Sequence, residues 1–379
     1  MRLPPLSLYV HVPWCVRKCP YCDFNSHTLA GELPEARWLA RIEADLDAER
    51  DAAAGRPLAS LFVGGGTPSL LSPATVAGLL EAVAARFTLA PDAEITLEAN
   101  PGTAEAERFR GYRAAGVNRL SLGVQSFDDA ALARLGRIHG GDEGRRAMDL
   151  AAAAGFERVN VDLMHGLPGQ TPEAAEADVA TALAAGVRHL SWYQLTIEPN
   201  TAFHARPPAL PGEGILEAIE DRGRRRLADA GLAPYEVSAW AQPGEESRHN
   251  LGYWRFGDYL GVGPGAHGKI TDGAGRILRT RRTRAPKDWF GPGAGAPPPA
   301  RRATPVLPEA LPGEFMMNAL RLTDGVDEAL FEARTGLPLA TVAAPLARLR
   351  AEGLLAPDRL AATALGRRFL DRTVAAFLD

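Results

Sequence analysis

Short runs of apolar, β-branched and aromatic residues recur along the chain, each followed by a loop and then by a stretch with apolar positions at helical spacing. The first run, Ser7-Leu8-Tyr9-Val10-His11-Val12-Pro13, predicts a buried strand that stops at its proline. From Pro34 to about Ala54, Trp38, Leu39, Ile42 and Leu46 share one helical face between charged positions, and Gly55 marks a stop. The unit repeats as strand Ser60 to Val63, turn Gly64-Gly65-Gly66-Thr67-Pro68 and helix Pro73 to Phe87. Further strands are expected near Glu94 to Ala99, Arg119 to Val124, Arg158 to Met164 and His189 to Thr196, with alanine-rich helices between them. Six such units make a parallel sheet with helices outside. A full barrel closes with eight, so residues 1–205 are expected to form an α/β partial (βα)6 barrel, open on one side.

The pattern then changes. Residues 206–290 are expected to cover the open side, with a strand at Ala233 to Val237 and a further segment from Arg248 to Ile270. Residues 291–313, rich in proline, glycine and alanine, hold no helical or strand period and are expected to be a linker. Residues 314–379 return to helical spacing at Glu314 to Leu322, Asp327 to Thr335, Thr341 to Glu352 and from about Thr363, with a small hairpin after Gly353. That order predicts a small, mainly helical, winged-helix-like domain. It carries little basic excess, so a packing role is expected for it over nucleic-acid binding.

Composition narrows the class. With 379 residues and 46% hydrophobic content the chain can bury a sizeable core, and a formal net charge of -4 gives no global attraction to nucleic acid or acidic membranes. The apolar run within Met1 to Pro13 is too short for a secretory signal, and no apolar span reaches membrane length. The three cysteines are too clustered for a disulfide framework, which points to a reducing, cytoplasmic compartment, with peripheral membrane contact left open.

Those cysteines carry the most specific chemistry. Cys15, Cys19 and Cys22 are the whole complement and lie within one short loop. Three thiolates cannot close a tetrahedral zinc site alone. They can hold three irons of a cubane cluster, which ordinarily takes four cysteines, and leave the fourth iron open to a ligand. A zinc-binding interaction protein is the alternative. The C-x3-C-x2-C spacing, with Tyr21 before the third cysteine, resembles the signature of the radical S-adenosylmethionine enzymes. The resemblance implies a [4Fe-4S] cluster held by Cys15, Cys19 and Cys22, and S-adenosylmethionine on the open iron.

Polar residues at the expected strand ends extend this resemblance to the oxygen-independent coproporphyrinogen oxidases, specifically through Asn160-Val161-Asp162-Leu163-Met164-His165-Gly166-Leu167-Pro168-Gly169-Gln170-Thr171. It implies S-adenosylmethionine contacts from Tyr9, Tyr21, Gly65, Gly66, Thr67, Glu98, Gln125, Arg137 and Asp162. Two departures separate the chain from those oxidases: Phe24 stands where they carry a further cysteine, and the first strand begins almost immediately, without their amino-terminal extension. Both departures match the oxidase-like HemW group of heme chaperones. His249-Asn250-Leu251-Gly252-Tyr253-Trp254 is similar to the heme motif of that group, which implies heme binding through His249, Tyr253 and Trp254, with His249 on the iron. His267 is a second iron-ligand candidate, and Arg279, Arg281, Arg282 and Arg284 could pair with heme propionates. The function so implied is delivery of heme to acceptor proteins, respiratory ones among them, by a monomer or a cluster-dependent dimer. The rival is a radical enzyme acting on a porphyrinogen, or a related methyltransferase.

Overall fold

A computed structural model describes residues 3–103, 106–291 and 301–378. Strands β1 (Leu6–Val12), β2 (Leu58–Gly65), β3 (Leu89–Ala99), β4 (Arg119–Gln125), β5 (Arg158–His165) and β6 (His189–Gln194) pair in parallel in that order. All seven residues of β4 are buried, as a sheet covered on both faces requires. The helices between the strands begin where the chain supplies caps. Ser72 and Thr171 each accept a backbone N–H two places past the proline that opens the helices Pro73–Ala84 and Pro172–Ala184. The six-unit partial barrel expected from the apolar runs is therefore present.

The sheet does not stop at six strands. Segments following the sixth strand extend it at both edges. On one side β7 (Ala233–Glu236) and β8 (Ala239–Ala241) follow β6 in antiparallel pairing. On the other, β9 (Asp258–Val262) lies parallel to β1, and β10 (His267–Thr271), β11 (Ile277–Arg281) and β12 (Arg302–Pro305) continue outward antiparallel. The result is a twelve-stranded sheet. A buried ionic knot holds the added edge. Asp258 accepts from Lys269 Nζ at 2.8 Å, Arg56 Nη1 at 2.6 Å and Thr271 N at 2.9 Å. Gly261 permits the tight β9–β10 approach, since a Cβ there would meet the His267 carbonyl oxygen at 2.0 Å.

The stretch expected to be an irregular linker, 291–313, is corrected in part. Positions 292–300 lie outside the described residues, but Arg302–Pro305 is the edge strand β12, and a helix starts at Leu311. An edge strand tolerates the proline that ends it, because one side of its backbone needs no partner. The carboxyl-terminal region is mainly helical, with helices Leu311–Ala319, Glu328–Thr335, Ala343–Ala351, Ala364–Arg368 and Leu370–Ala375. The expected hairpin is reduced to isolated antiparallel bridges, Leu355 to Ala362 and Val326 to Leu360. Its core of Phe315, Phe331, Leu346, Leu349 and Phe377 also takes in Phe256 and Ile277, and the Phe256 and Phe315 rings meet edge-on at 5.6 Å. The helical unit thus packs on the β9–β12 edge of the sheet. Among the described residues no helix is long and apolar enough to cross a membrane.

Candidate functional site

The cysteine loop leaves the carboxyl end of β1, where parallel α/β sheets present their ligand contacts. It is pinned on several sides. Trp14–Cys15 pairs with His27–Thr28, Cys22 N donates to Cys19 O at 3.1 Å, and Asn25 Nδ2 donates to the carbonyls of Pro264 and Arg284, both at 2.9 Å. Cys15, Cys19 and Cys22 form no disulfide with one another and are half-buried. They line a cavity of about 300 Å³ together with Tyr21, Gly65, Gly66, Thr67, Glu98, Gln125, Arg137 and Asp162. Eight of the nine contacts expected for S-adenosylmethionine therefore converge on the thiols.

Their settings differ in ways that bear on a ligand. Gly65 has φ +121° and donates its N–H to Glu98 Oε2 at 3.0 Å, while a Cβ on Gly66 would sit 2.5 Å from the Trp14 carbonyl oxygen. The glycine turn is thus pressed against the chain entering the cysteine loop. Gln125 ends β4 at φ +71°, a conformation rare outside glycine and frequent at functional sites, and accepts from Tyr193 Oη at 2.8 Å. Arg137 donates to Gly123 O at 2.6 Å, Asn100 Oδ1 at 2.8 Å and Cys19 Sγ at 3.5 Å, yet its buried Nε has no partner among the described residues. Asp162 accepts from Asn160 Nδ2 at 2.8 Å and Ser121 Oγ at 3.3 Å. Burial raises its pKa, and burial with the nearby Asp162 pushes Glu98 up to about 8. Soft thiolates, a turn of backbone amides, carboxylates and an under-satisfied guanidinium fit a cluster whose exposed iron takes a polar, charged small molecule. Asn100, Ser121 and Tyr193 join the site without having been expected. Their signal was polarity at or just beyond an otherwise apolar strand.

The raised Glu98 pKa fixes a sign. Its folded value lies above the 4.5 of the free side chain, so between about pH 4.5 and 8 the folded chain holds a proton that the unfolded chain has released, and stability falls as pH rises through that window. Glu98→Gln is expected to flatten this slope in the ligand-free protein. Melting curves from pH 5 to pH 8.5 would check it, and an unchanged slope would count against the assignment.

A second cavity, of about 1040 Å³, adjoins the first, and Asp23, Phe24, Gly65 and Glu98 line both. Tyr9, Phe24, Tyr253, Trp254 and Tyr259 give it aromatic walls, and His267, Arg281, Arg284 and Arg302 a basic one. Tyr9, expected at S-adenosylmethionine, lines this larger cavity and not the smaller one, its hydroxyl hydrogen-bonded to His11 Nδ1 at 2.9 Å.

Two further expectations are corrected here. His249 does not reach the cavity. It is buried behind Tyr253, its Nδ1 hydrogen-bonded to Ser60 Oγ at 2.8 Å and its Nε2 to Tyr253 Oη at 2.9 Å, with its ring stacked on Phe62 at 5.0 Å. Burial lowers its pKa to about 3. The motif forms the short helix Arg248–Trp254, where positions four apart share a face, so His249 sits inward and steadies the Tyr253 hydroxyl. Of the four arginines that could have paired with propionates, most of them expected on a solvated basic face, Arg279 pairs with Glu314 and donates to Tyr259 Oη at 2.9 Å. Arg282 is buried against Asp45 and Glu49. Only Arg281 and Arg284 stay exposed on the cavity without a carboxylate partner among the described residues, and Arg302, not expected, joins them.

The family model of the Radical SAM superfamily matches residues 9–182, and that of the HemN C-terminal domain matches residues 306–369. The heme chaperone HemW of Escherichia coli is 49% identical over 380 residues, covering 100% of this chain and 99% of its own length. HemW of Mycobacterium tuberculosis is 39% identical over 388 residues, covering 99% and 95%. Among solved structures, the coproporphyrinogen III oxidase HemN of Escherichia coli superposes with a TM-score of 0.83 at 24% identity, over 99% of this chain and 90% of that one. That likeness establishes the shared fold.

Proposed function

This chain belongs to the HemW family within the radical S-adenosylmethionine superfamily, and from that premise we propose that it seats heme in the larger cavity, a [4Fe-4S] cluster with S-adenosylmethionine in the smaller, and passes heme to acceptor proteins, those of respiration foremost. The observation that carries this reading is the junction of the two cavities: one lined by three thiols, the other large, flat-walled with aromatic rings and rimmed by Arg281, Arg284 and Arg302, which have no carboxylate partner among the described residues, the two meeting at Gly65 and Glu98. Cys15, Cys19 and Cys22 would each hold one iron. Bound there, the cluster supplies one-electron chemistry toward a sulfonium ligand.

The chain's own residues would do the rest. The Gly65 to Thr67 turn and Arg137 would receive the polar ends of S-adenosylmethionine, Asp162 and Glu98 its hydroxyls, and Gln125 and Tyr193 would close the far wall. Tyr253 and Trp254 would lie against the apolar macrocycle. Trp254 is backed by the Arg321 guanidinium 4.4 Å from its ring centroid, which holds the indole in place.

An enzyme acting on a porphyrinogen would need the same two cavities, so the tests are functional. Heme-loaded protein mixed with a heme-free acceptor hemoprotein should transfer its heme, followed by the acceptor's Soret band. Anaerobic incubation of the cluster-loaded protein with S-adenosylmethionine, a reductant and coproporphyrinogen III should release no carbon dioxide. Decarboxylation without transfer would replace the carrier reading with the enzymatic one.

A further inference from the structure

We propose that, within the heme reading above, His267 is the side chain that binds the heme iron, and that Arg281 and Arg302 clamp the propionates, in place of His249 and the wider arginine run. The three stand in one cross-strand row. His267 is the direct partner of Arg281 in the β10–β11 ladder, and Arg281 the direct partner of Arg302 in the β11–β12 ladder. Directly opposed residues in an antiparallel pair project from the same face, about 4.5–5.5 Å apart at Cβ. All three are exposed on the 1040 Å³ cavity.

The row has no internal compensation. Two arginines placed directly opposite each other repel, and among the described residues no carboxylate pairs with either one. The neighbouring arginines make the contrast plain. Arg279 is neutralised by Glu314, and Arg282 by Asp45 and Glu49. The carboxylates that do border the cavity, Asp23 and Glu98, stand on the stretch it shares with the thiol site. Arg281 and Arg302 are therefore open to an anion from outside the chain, and a planar carboxylate is the group a guanidinium fork matches best.

His267 differs from His249 in the property that matters for iron. Both ring nitrogens of His249 are committed to Ser60 and Tyr253. Neither ring nitrogen of His267 is hydrogen-bonded among the described residues, and the ring opens onto the cavity. An axial ligand must bring a free nitrogen lone pair to the iron. Pro264, between Gly263 (φ +94°) and Gly265 (φ +79°), turns the chain from β9 into β10 just before His267. Gly265 packs against Asn25 of the cysteine loop, where a Cβ would fall 2.3 Å from Nδ2. The imidazole is thus carried by a turn anchored to the loop that bears the thiols.

The test is a titration of the full chain with iron protoporphyrin IX and with its dimethyl ester, read by the Soret and visible bands and by electron paramagnetic resonance of the ferric form. The wild type should show an imidazole-ligated spectrum. His267→Ala should lose that spectrum, and His249→Asn should keep it. Arg281→Gln with Arg302→Gln should weaken binding of the diacid by about 10- to 100-fold and leave the dimethyl ester unchanged, with melting curves confirming that each variant is folded. A wild-type spectrum in His267→Ala, or equal affinity of the wild type for diacid and diester, would overturn the assignment while leaving heme binding intact. Absence of saturable binding by the wild type would overturn the heme reading, and this assignment with it.

Discussion

Alanine at Cys15, Cys19 or Cys22 is expected to abolish the cluster: after anaerobic reconstitution each variant should carry essentially none of the wild type's cluster iron and sulfide and no sulfur-to-iron charge-transfer absorbance. The reason is numerical. A cubane with one open iron already rests on three protein ligands, and the chain has no fourth cysteine to substitute. The loss should be chemical more than structural, because the loop is also held by the Trp14–Cys15 pairing with His27–Thr28 and by Asn25. Far-ultraviolet circular dichroism and the melting temperature of the cluster-free protein should then change little. Loss of S-adenosylmethionine binding should accompany loss of iron, since the open iron is the seat expected for its polar end. Retention of wild-type iron and sulfide by Cys19→Ala would show that the thiols are not the anchor.

The largest effect on stability is expected at Arg282. Its guanidinium donates to Asp45 Oδ1 at 2.9 Å, Asp45 O at 3.1 Å and Glu49 Oε1 at 2.6 Å, all buried. Asp45 also accepts from Trp289 Nε1 and Gly263 N, both at 3.0 Å, so this cluster ties the first helix to the β9–β10 turn. Arg282→Met removes the charge and leaves Asp45 buried without a cation, while Glu49 keeps Arg301 at 2.6 Å, a change that costs about 3 kcal/mol or more. Equilibrium denaturation should register it as a lower midpoint, and Asp45→Asn in the same background should recover part of the loss. Arg281→Gln, one residue away, should be neutral or slightly stabilising, because it relieves repulsion from Arg302. Equal destabilisation by the two would refute the division between a structural and a ligand-facing arginine.

That division marks the limit of what the linear chain displays. The six parallel strands were legible because short runs of apolar, β-branched and aromatic positions recur between helical stretches, as in β4, where Leu120, Leu122 and Val124 alternate with small or polar residues. The thiol site was legible because its ligands lie within eight positions of one another, and the residues around it because barrel strands present their ends to ligands. Strands β9 to β12 were hidden by their charges. Asp258, Lys269 and Arg282 read as surface residues until their partners are known, and Asp45 lies 237 positions from Arg282. His249 misled for the same reason: the hydroxyl that occupies its Nδ1 belongs to Ser60, 189 positions away. Tyr9 stands on a strand beside two cavities, and apolar periodicity does not say which one a side chain enters.

The larger cavity as a heme seat is the central claim. Anaerobic titration of the cluster-loaded full chain with iron protoporphyrin IX, followed by Soret absorbance, tests it most directly. One heme per chain should bind saturably, and Trp254→Ala should weaken that binding. A titration that never saturates, or saturation that Trp254→Ala leaves untouched, would contradict it.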